Sequence, residues 1–388
     1  MEIIITGIFW LTILLLVHAY ILYPVSLWIF NWFKRKPEVV ELLSYPSISI
    51  IISAYNEEKV IAERIDNIRN LNYDFNKLEL IIGSDCSTDK TNEILNEKSQ
   101  KNSWVRTKNF STRRGKAAVL NDLVQLTKNE ILVFTDANTK FGKDALLNLV
   151  SKFSDPKVGG VCGRLELEEP TDNFDKTNRE KLYWKYETHL KNLEGDLGIL
   201  IAANGGIYAI RKDLFIKFPD GEAITDDLYQ TFAVLNQEYD FLYAFDAIAS
   251  EEVSKKIIME FRRKVRFAAT NFQTLKFFKR LLFRKKLLIS YALWSHKIIR
   301  WFVPILLILL LVTNLFLINY SQLYYVIFIV QASFYISAFI GFILNLLKVN
   351  ISFFSLIYYY VLTNFALLMG LFKFLSKKHA YAWDSTPR

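Results

Sequence analysis

Apolar positions along the chain fall into two dense blocks, residues 3–33 and 301–375, with a patterned stretch between them. In that stretch short β-branched runs alternate with segments of helical spacing. Residues 47–53 (Ser-Ile-Ser-Ile-Ile-Ile-Ser), bounded by Pro46, predict a buried strand. Residues 57–70 set Val60, Ile61, Ile65 and Ile68 at helical spacing. A second strand is expected over 78–83, then a polar turn and a helix over about 88–98. A helix over 117–126 precedes a strand over 131–134, and two acids at Asp226 and Asp227 head a helix that continues through Leu235. Strands alternating with helices predict an α/β domain with a parallel sheet and helices on both faces. Ligands in such sheets bind past the C-terminal ends of the strands.

The flanking blocks predict membrane segments. Residues 3–33 are long enough to cross a bilayer of about 30 Å. A signal peptide would have a basic start and a short apolar core; here the chain starts Met1-Glu2-Ile3 and the basic cluster Lys34-Arg35-Lys36 follows the apolar run, so an uncleaved anchor is expected. That cluster puts the N-terminus outside and the next domain in the cytoplasm. Three further spans are expected at about 301–319, 323–347 and 351–375. Three spans would carry the tail outside, whereas Lys373, Lys377, Lys378 and Arg388 argue for the inside; an interfacial segment among the three, or inclusion of 287–300 in another span, would resolve the conflict. Phe272, Leu275, Phe278 and Leu282, with lysines and arginines between them, predict a basic amphipathic helix over 272–286 in the membrane surface, the alternative being a helix packed on the domain.

Charge and composition sharpen this. The net charge of the 388 residues is +9, but much of the excess lies beside the apolar blocks, including Lys276, Lys279, Arg280, Arg284, Lys285 and Lys286. That suits an anionic membrane leaflet, and no nucleic-acid partner is expected. Two cysteines and four scattered histidines make neither a disulfide framework nor a zinc site. A metal here would be held by carboxylates and phosphates.

Polar clusters follow three of the expected strands: Ala54-Tyr55-Asn56-Glu57-Glu58, Ser84-Asp85-Cys86-Ser87-Thr88-Asp89 and Thr135-Asp136-Ala137-Asn138-Thr139. Each alone reads as turn and cap chemistry, Asp89 above all. Three on one sheet edge point to a ligand with a diphosphate, as a nucleotide sugar has. Asp136 is suited to hold a divalent metal, Asn138 to add a neutral oxygen, and Asp85 to bind base or ribose. Arg113-Arg114-Gly115-Lys116-Ala117 adds a mobile basic loop from which Lys116 reaches the nucleotide. A Walker loop and a dinucleotide fingerprint are both excluded by the glycine spacing. A transferase also needs a base for the acceptor hydroxyl. Asp226-Asp227 offers one, although in isolation helix capping is the better explanation of the pair. The preceding Asn204-Gly205-Gly206 turn lets a bulky ligand approach backbone, which favours an acceptor site.

This ordered set resembles the family 2 glycosyltransferases over roughly residues 45–275, especially the membrane branch with cellulose, chitin, hyaluronan and poly-N-acetylglucosamine synthases. Tyr55-Asn56-Glu57 is similar to the opening donor motif, Asp85 to the acid of the second, with Ser84 in place of its usual partner, and Lys116 to the basic residue of the Gly-Lys-Ala loop. Asp136-Ala137-Asn138 is similar to Asp-x-Asp and Thr225-Asp226-Asp227 to Thr-Glu-Asp, so the resemblance makes Asp227 the base. It implies a GT-A (Rossmann-like) fold, Mg²⁺ or Mn²⁺ at Asp136 and Asn138, a UDP-sugar donor and inversion at the anomeric carbon. The Gln-x-x-Arg-Trp motif of processive synthases is matched by Arg263-Lys264-Val265-Arg266-Phe267, with Arg266 retained and Gln and Trp replaced.

The expected layout is an anchor (1–36), a cytoplasmic GT-A domain (45–270), interfacial helices (271–300), membrane helices (301–375) and a tail (376–388). Acceptor contacts are expected from Asn204, Gly205, Asp226, Arg263, Arg266 and Phe267. The leading expectation is a synthase extending a polysaccharide. Single-sugar transfer to a polyprenyl phosphate or lipid-linked oligosaccharide is the alternative, and an inactive transferase-like scaffold stands outside both.

Overall fold

The computed structural model describes residues 1–34, 44–168, 174–252, 257–284, 286–349 and 351–376. Arg35, Lys36, Lys285, Lys377, Lys378 and Arg388, which the charge argument used, lie outside them.

The chain opens with one long helix, α1 (Glu2–Phe33). It contains a π turn at His18–Leu22, just before Pro24, whose ring cannot donate to the ladder. The domain then runs β1 (Ile48–Ala54), α2 (Ile61–Arg69), β2 (Leu78–Asp85), α3 (Thr91–Lys101), β3 (Val105–Phe110), α4 (Lys116–Leu126), β4 (Ile131–Phe134), β5 (Lys140–Phe141) and α5 (Ala145–Val150). It continues with β6 (Val158–Glu168), α6 (Phe174–Asp196), β7 (Tyr208–Arg211), α7 (Asp226–Asn236), β8 (Asp240–Glu252) and α8 (Ile257–Phe277). Three long helices follow: α9 (Leu287–Leu317), α10 (Gln322–Leu346) and α11 (Ser352–Leu375).

The strands form one sheet in the order β3-β2-β1-β4-β7-β6-β8-β5. Its first half is parallel, as expected: β1 pairs with β2 and β4, and β2 with β3. The second half corrects the expectation of a parallel sheet. β7 runs antiparallel to β4 and β6, and β5 antiparallel to β8. β6 and β8 pair in parallel, so the reversed strands are β7, which follows α6 and the glycine turn, and the short β5.

Period two sorts β1 between the faces. Ile48, Ile50 and Ile52 pack with Ile61, Ile65 and Ile68 of α2. Ile51 faces the other way, into a cluster with Val119 and Leu123 of α4 that continues through Leu190 of α6 to Tyr23 and Leu27 of α1 and Ile289, Leu293 and Trp301 of α9. Leu371 of α11 joins the same cluster, so the domain core is continuous with three of the long apolar helices.

Helix length explains that junction. The 32 residues of α1 and the 31 of α9 extend about 48 and 46 Å at about 1.5 Å per residue, beyond the roughly 30 Å of a hydrocarbon core. The surplus turns are held by α6: Asn31 Nδ2 donates to Leu193 O (2.9 Å) and Lys34 Nζ to Asp196 O (2.6 Å). The region 287–300 is the start of α9, continuous with the apolar run expected from 301.

The helix expected over 272–286 is also corrected. Residues 272–277 are the end of α8, followed by a 3-10 turn at Lys279–Phe283. Phe272 packs on Trp301 (5.2 Å between rings) and Phe278 on Tyr229 (4.8 Å), so these aromatics belong to the core, while Lys276, Lys279 and Arg280 face outward. Along α8 runs α11. Phe261 stacks with Phe365, Gly370 abuts Ala268, and Phe272 stacks with Phe374, so the two helices advance side by side.

Candidate active site

The loops after β1 and β2 are knitted together. Asn56, at φ 53°, gives its N–H to Ser87 Oγ (3.1 Å) and accepts from Thr88 N–H (2.8 Å). Asn is among the few residues that hold this left-handed conformation at low cost. Glu57 N–H donates to Thr91 Oγ1 (2.8 Å), and Asp89 accepts from Glu58 and Thr91 N–H, which gives Asp89 the capping duty. Tyr55 lies beneath the Arg113 guanidinium, 3.1 Å from its ring centre.

Asp85, at the end of β2, holds the basic loop. Its carboxylate accepts from the N–H groups of Arg114 (2.7 Å) and Gly115 (2.8 Å) and pairs with Arg113 Nε (3.2 Å). It is 2% exposed. The loop expected to be mobile is clamped, with Asp85 turned to the loop backbone and to Arg113, which covers Tyr55. Gly115, at φ 84°, turns the chain into α4 where a side chain would be strained. The turn aims Lys116 into the cleft.

There Lys116 joins two expected clusters. Its Nζ lies 2.8 Å from Asp136 Oδ1 and 2.9 Å from Asp226 Oδ2. Burial alone lowers a lysine's pKa, but these two carboxylates outweigh it and hold Lys116 above its ordinary value. Asp227, next in the chain, has Oδ1 accepting from Leu228 N–H (2.7 Å). Burial and the Asp226 charge push its carboxyl up to about 6, against the pull of Lys116. Gly205 faces both acids. A Cβ there would stand 3.3 Å from Asp227 Oδ2 and 4.0 Å from Asp136 Oδ2, so the glycine keeps open the space where the two carboxylates converge.

Thr225 ties this terminus to α8. Its hydroxyl meets Thr270 Oγ1 (2.7 Å) and Asn271 Oδ1 (2.8 Å), and its N–H donates to Thr274 Oγ1 (3.0 Å). Arg266, on the same helix, lines a cleft with Gly115, Lys116, Asp226 and Thr270. Burial and neighbouring Arg263 pull Arg266 down to about 10, with Asp226 resisting. Phe267 is 37% exposed and lies 5.2 Å from the Arg266 guanidinium.

Two expected residues are turned elsewhere. Asn138 Nδ2 donates to Glu251 Oε1 of β8 (2.8 Å), which leaves its carbonyl oxygen as the donor atom for a metal. Asn204 is buried and donates to Gly163 O (2.8 Å) while accepting from Lys191. Among the described residues no three His, Cys, Asp or Glu side chains are grouped to hold a metal. Asp136 and the Asn138 amide oxygen are hard donors in small number, which fits Mg²⁺ or Mn²⁺ that completes its shell with phosphate and water.

Sequence reasoning missed Arg64 and Lys191. Arg64, fully buried, donates to Thr135 Oγ1 (3.0 Å), which in turn donates to Gly206 O (2.7 Å), so one guanidinium supports the Asp136 loop and the glycine turn together. Burial lowers it to about 9, with Asp136 opposing. Its signal was a charge on the apolar stripe Ile61, Ile65, Ile68.

Comparison with known proteins agrees with this geometry. Residues 49–217 match Glycosyl transferase family 2. The β-monoglucosyldiacylglycerol synthase of Nostoc sp. is 30% identical over 234 residues, 59% of this chain and 50% of that protein. The poly-β-1,6-N-acetyl-D-glucosamine synthase of Staphylococcus aureus is 24% identical over 238 residues, 61% of this chain and 57% of that one. The chain thus spans about half the length of these relatives. A mannosyltransferase from Pyrobaculum calidifontis, solved with GDP-Man and Mn²⁺, superposes with a TM-score of 0.72 at 21% identity, covering 96% of this chain and all of that one. Residues 49–217 therefore match a family 2 glycosyltransferase domain, and the fold is that of the GT-A glycosyltransferases.

Proposed function

We propose that the protein transfers a sugar from a nucleotide-sugar donor to a hydroxyl of an acceptor carried at the membrane surface. The observation that carries this reading is the convergence of Lys116, Asp136, Asp226 and Asp227 around the space kept open by Gly205. Asp227, with a carboxyl near 6, is ionised at neutral pH yet basic enough to take the acceptor proton as the hydroxyl attacks the anomeric carbon, with inversion. Lys116 brings fixed positive charge to the departing diphosphate, and Arg266 adds a second cation from the membrane side of the cleft. Asp136 and Asn138 would hold a divalent cation, which when bound neutralises diphosphate charge. The Mn²⁺ and GDP-Man of the Pyrobaculum mannosyltransferase support both the metal and the donor class.

A lipid acceptor is favoured by the direct attachment of α6, which backs the acceptor loop, to α1 and α9. Extension of a polysaccharide is the second reading, favoured by Arg266 and Phe267 beside Asp226. For the membrane part, we read α1, α9 and α10 as spans and α11 as lying in the interface. α11 runs along α8, whose Arg262, Arg263, Lys264 and Arg266 are costly to place in hydrocarbon. This layout leaves the catalytic domain and the tail both cytoplasmic.

The test is a panel of UDP-, GDP- and dTDP-sugars with diacylglycerol, lipid-linked sugar and oligosaccharide acceptors, scored by release of nucleotide diphosphate and by product. One sugar on a lipid is expected. A ladder of lengths selects the second reading, and no turnover of any donor rejects both.

A further inference from the structure

The glycine turn is held from behind by a buried lysine of α6. Lys191 is 7% exposed, and its ammonium donates to Asn204 Oδ1, a neutral oxygen. Two acids share its face of α6 at helical spacing, and both are engaged elsewhere. Glu194 accepts from Tyr23 Oη (2.7 Å) and from Ile201 N–H (3.3 Å), and bonds His296 Nδ1 (2.6 Å). Glu187 pairs with Arg300 (2.5 Å) and His296 Nε2 (3.2 Å). Among the described residues Lys191 makes no ion pair.

Lys191 completes the fixing of Asn204. The Asn204 N–H donates to Cys162 Sγ (3.0 Å), its side-chain amide donates to Gly163 O (2.8 Å), and its backbone carbonyl accepts from Ile207 N–H (3.1 Å). The polar atom that remains is Oδ1, which Lys191 serves. On one side of Asn204 is Gly205, which faces Asp227 and Asp136. On the other is Ala203, whose N–H donates to Thr231 Oγ1 (3.2 Å), and that hydroxyl donates to Asp227 O (2.7 Å). The lysine, the turn and the proposed base are thus joined by short links.

The charge matters as well as the bond. A buried ammonium facing a neutral oxygen loses more hydration than one hydrogen bond restores. The anion that offsets this is Asp227. Burial and the Asp226 charge push the Asp227 carboxyl up, while Lys116 and Lys191 pull it down. Asp136, Tyr208 and Cys162 also surround it, and none of them is a cation. Lys116 is already bonded to Asp136 and Asp226, and in the proposed reaction it serves the diphosphate too. Lys191 has no such competing anion.

We infer that Lys191 is a positioning residue for the acceptor side of the transfer: it fixes the glycine turn through Asn204 and brings a buried positive charge within reach of Asp227. The inference rests on the reading of Asp227 as the base. Beside Asp226 and Asp136, an Asp227 deprived of Lys191 would keep its proton over more of the neutral range, where it must be ionised to act.

The experiment uses the full chain in phosphatidylcholine nanodiscs. The Asp227 carboxyl is titrated by pH-difference infrared spectroscopy, its band identified by its loss in Asp227→Asn. Lys191→Gln and Lys191→Met both remove the charge, the first keeping a donor for Asn204 and the second not. In either variant the midpoint should rise by about half a pH unit or more, the order expected for one unit charge removed several ångströms away. Lys191→Arg should leave it near wild type. Asn204→Ala cuts the bond and keeps the charge. Its midpoint should stay near wild type, while its acceptor KM, with the active donor and acceptor of the panel above, rises about tenfold and donor KM changes less than about twofold. A midpoint that neither uncharged variant moves, or that Lys191→Arg moves as far, overturns the inference. So does an Asn204→Ala variant whose two KM values rise alike. Transfer activity that survives Asp227→Asn rejects the base reading and the inference with it. Activity lost in Asp227→Asn beside an unmoved midpoint in Lys191→Gln and Lys191→Met rejects the role of Lys191 alone.

Discussion

Lys116 Nζ lies 2.9 Å from Asp226 Oδ2, so the cation facing the donor is bonded to the acid immediately before the proposed base. Removing it acts on both sides of the reaction. Lys116→Gln takes away charge that stabilises the leaving diphosphate, where loss of one such donor costs about 10²–10³ in kcat. It also removes the charge that pulls Asp227 down. The expected result is a kcat loss of that order together with an acid limb of the pH profile displaced to higher pH. A rate loss with an unmoved limb would separate Lys116 from Asp227.

Asp227 itself sets that limb. Its carboxyl, raised to about 6 by burial and by Asp226, must be ionised to accept a proton. Turnover should therefore fall about tenfold per pH unit below 6 and level off above it. Asp227→Asn should lower kcat by about 10²–10⁴ while donor affinity, followed by calorimetry with the nucleotide diphosphate, changes little. A variant that still turns over at a tenth of the wild-type rate excludes Asp227 as the base.

Gly205→Ala tests the open space between the acids. The backbone there lies outside the left-handed region, so alanine is not strained, but its Cβ would come within 3.3 Å of Asp227 Oδ2. The acceptor KM should rise about tenfold or more while donor KM and melting temperature stay near wild type. An equal rise in both KM values would show that the turn serves the whole cleft and not the acceptor alone.

Metal dependence tests Asp136 and Asn138. Excess chelator should lower turnover at least about a hundredfold, with Mn²⁺ or Mg²⁺ restoring it; full activity in chelator removes Asp136 as a ligand. Asn138→Asp alone sets a carboxylate against Glu251, 2.8 Å away through the present hydrogen bond. It should lower the melting temperature without metal and tighten Mn²⁺ binding, measured by electron paramagnetic resonance, and adding Glu251→Gln should recover the lost stability.

How much of this was legible follows from which residues decide each feature. The sequence determined the strands over 47–53, 78–83 and 131–134 to within two residues, the α/β class, the polar clusters at Asp85, Asp136 and Asp226–Asp227, and the apolar blocks. All of these depend on local period and on residue chemistry within a few positions, and the family likeness added roles to them. Tertiary structure alone decided the antiparallel placement of β7 and β5, the clamp of Asp85 on the Arg113–Gly115 backbone, the support of Thr135 by Arg64, and the course of α11 along α8. Asn138 and Glu251 are 113 positions apart, and Lys191 meets Asn204 only because α6 folds back beneath the turn. Such contacts are set by the packing of whole elements against one another. A buried charge declares its need for a partner in the sequence, but the partner's identity is fixed only when the sheet and the membrane helices bring the two together.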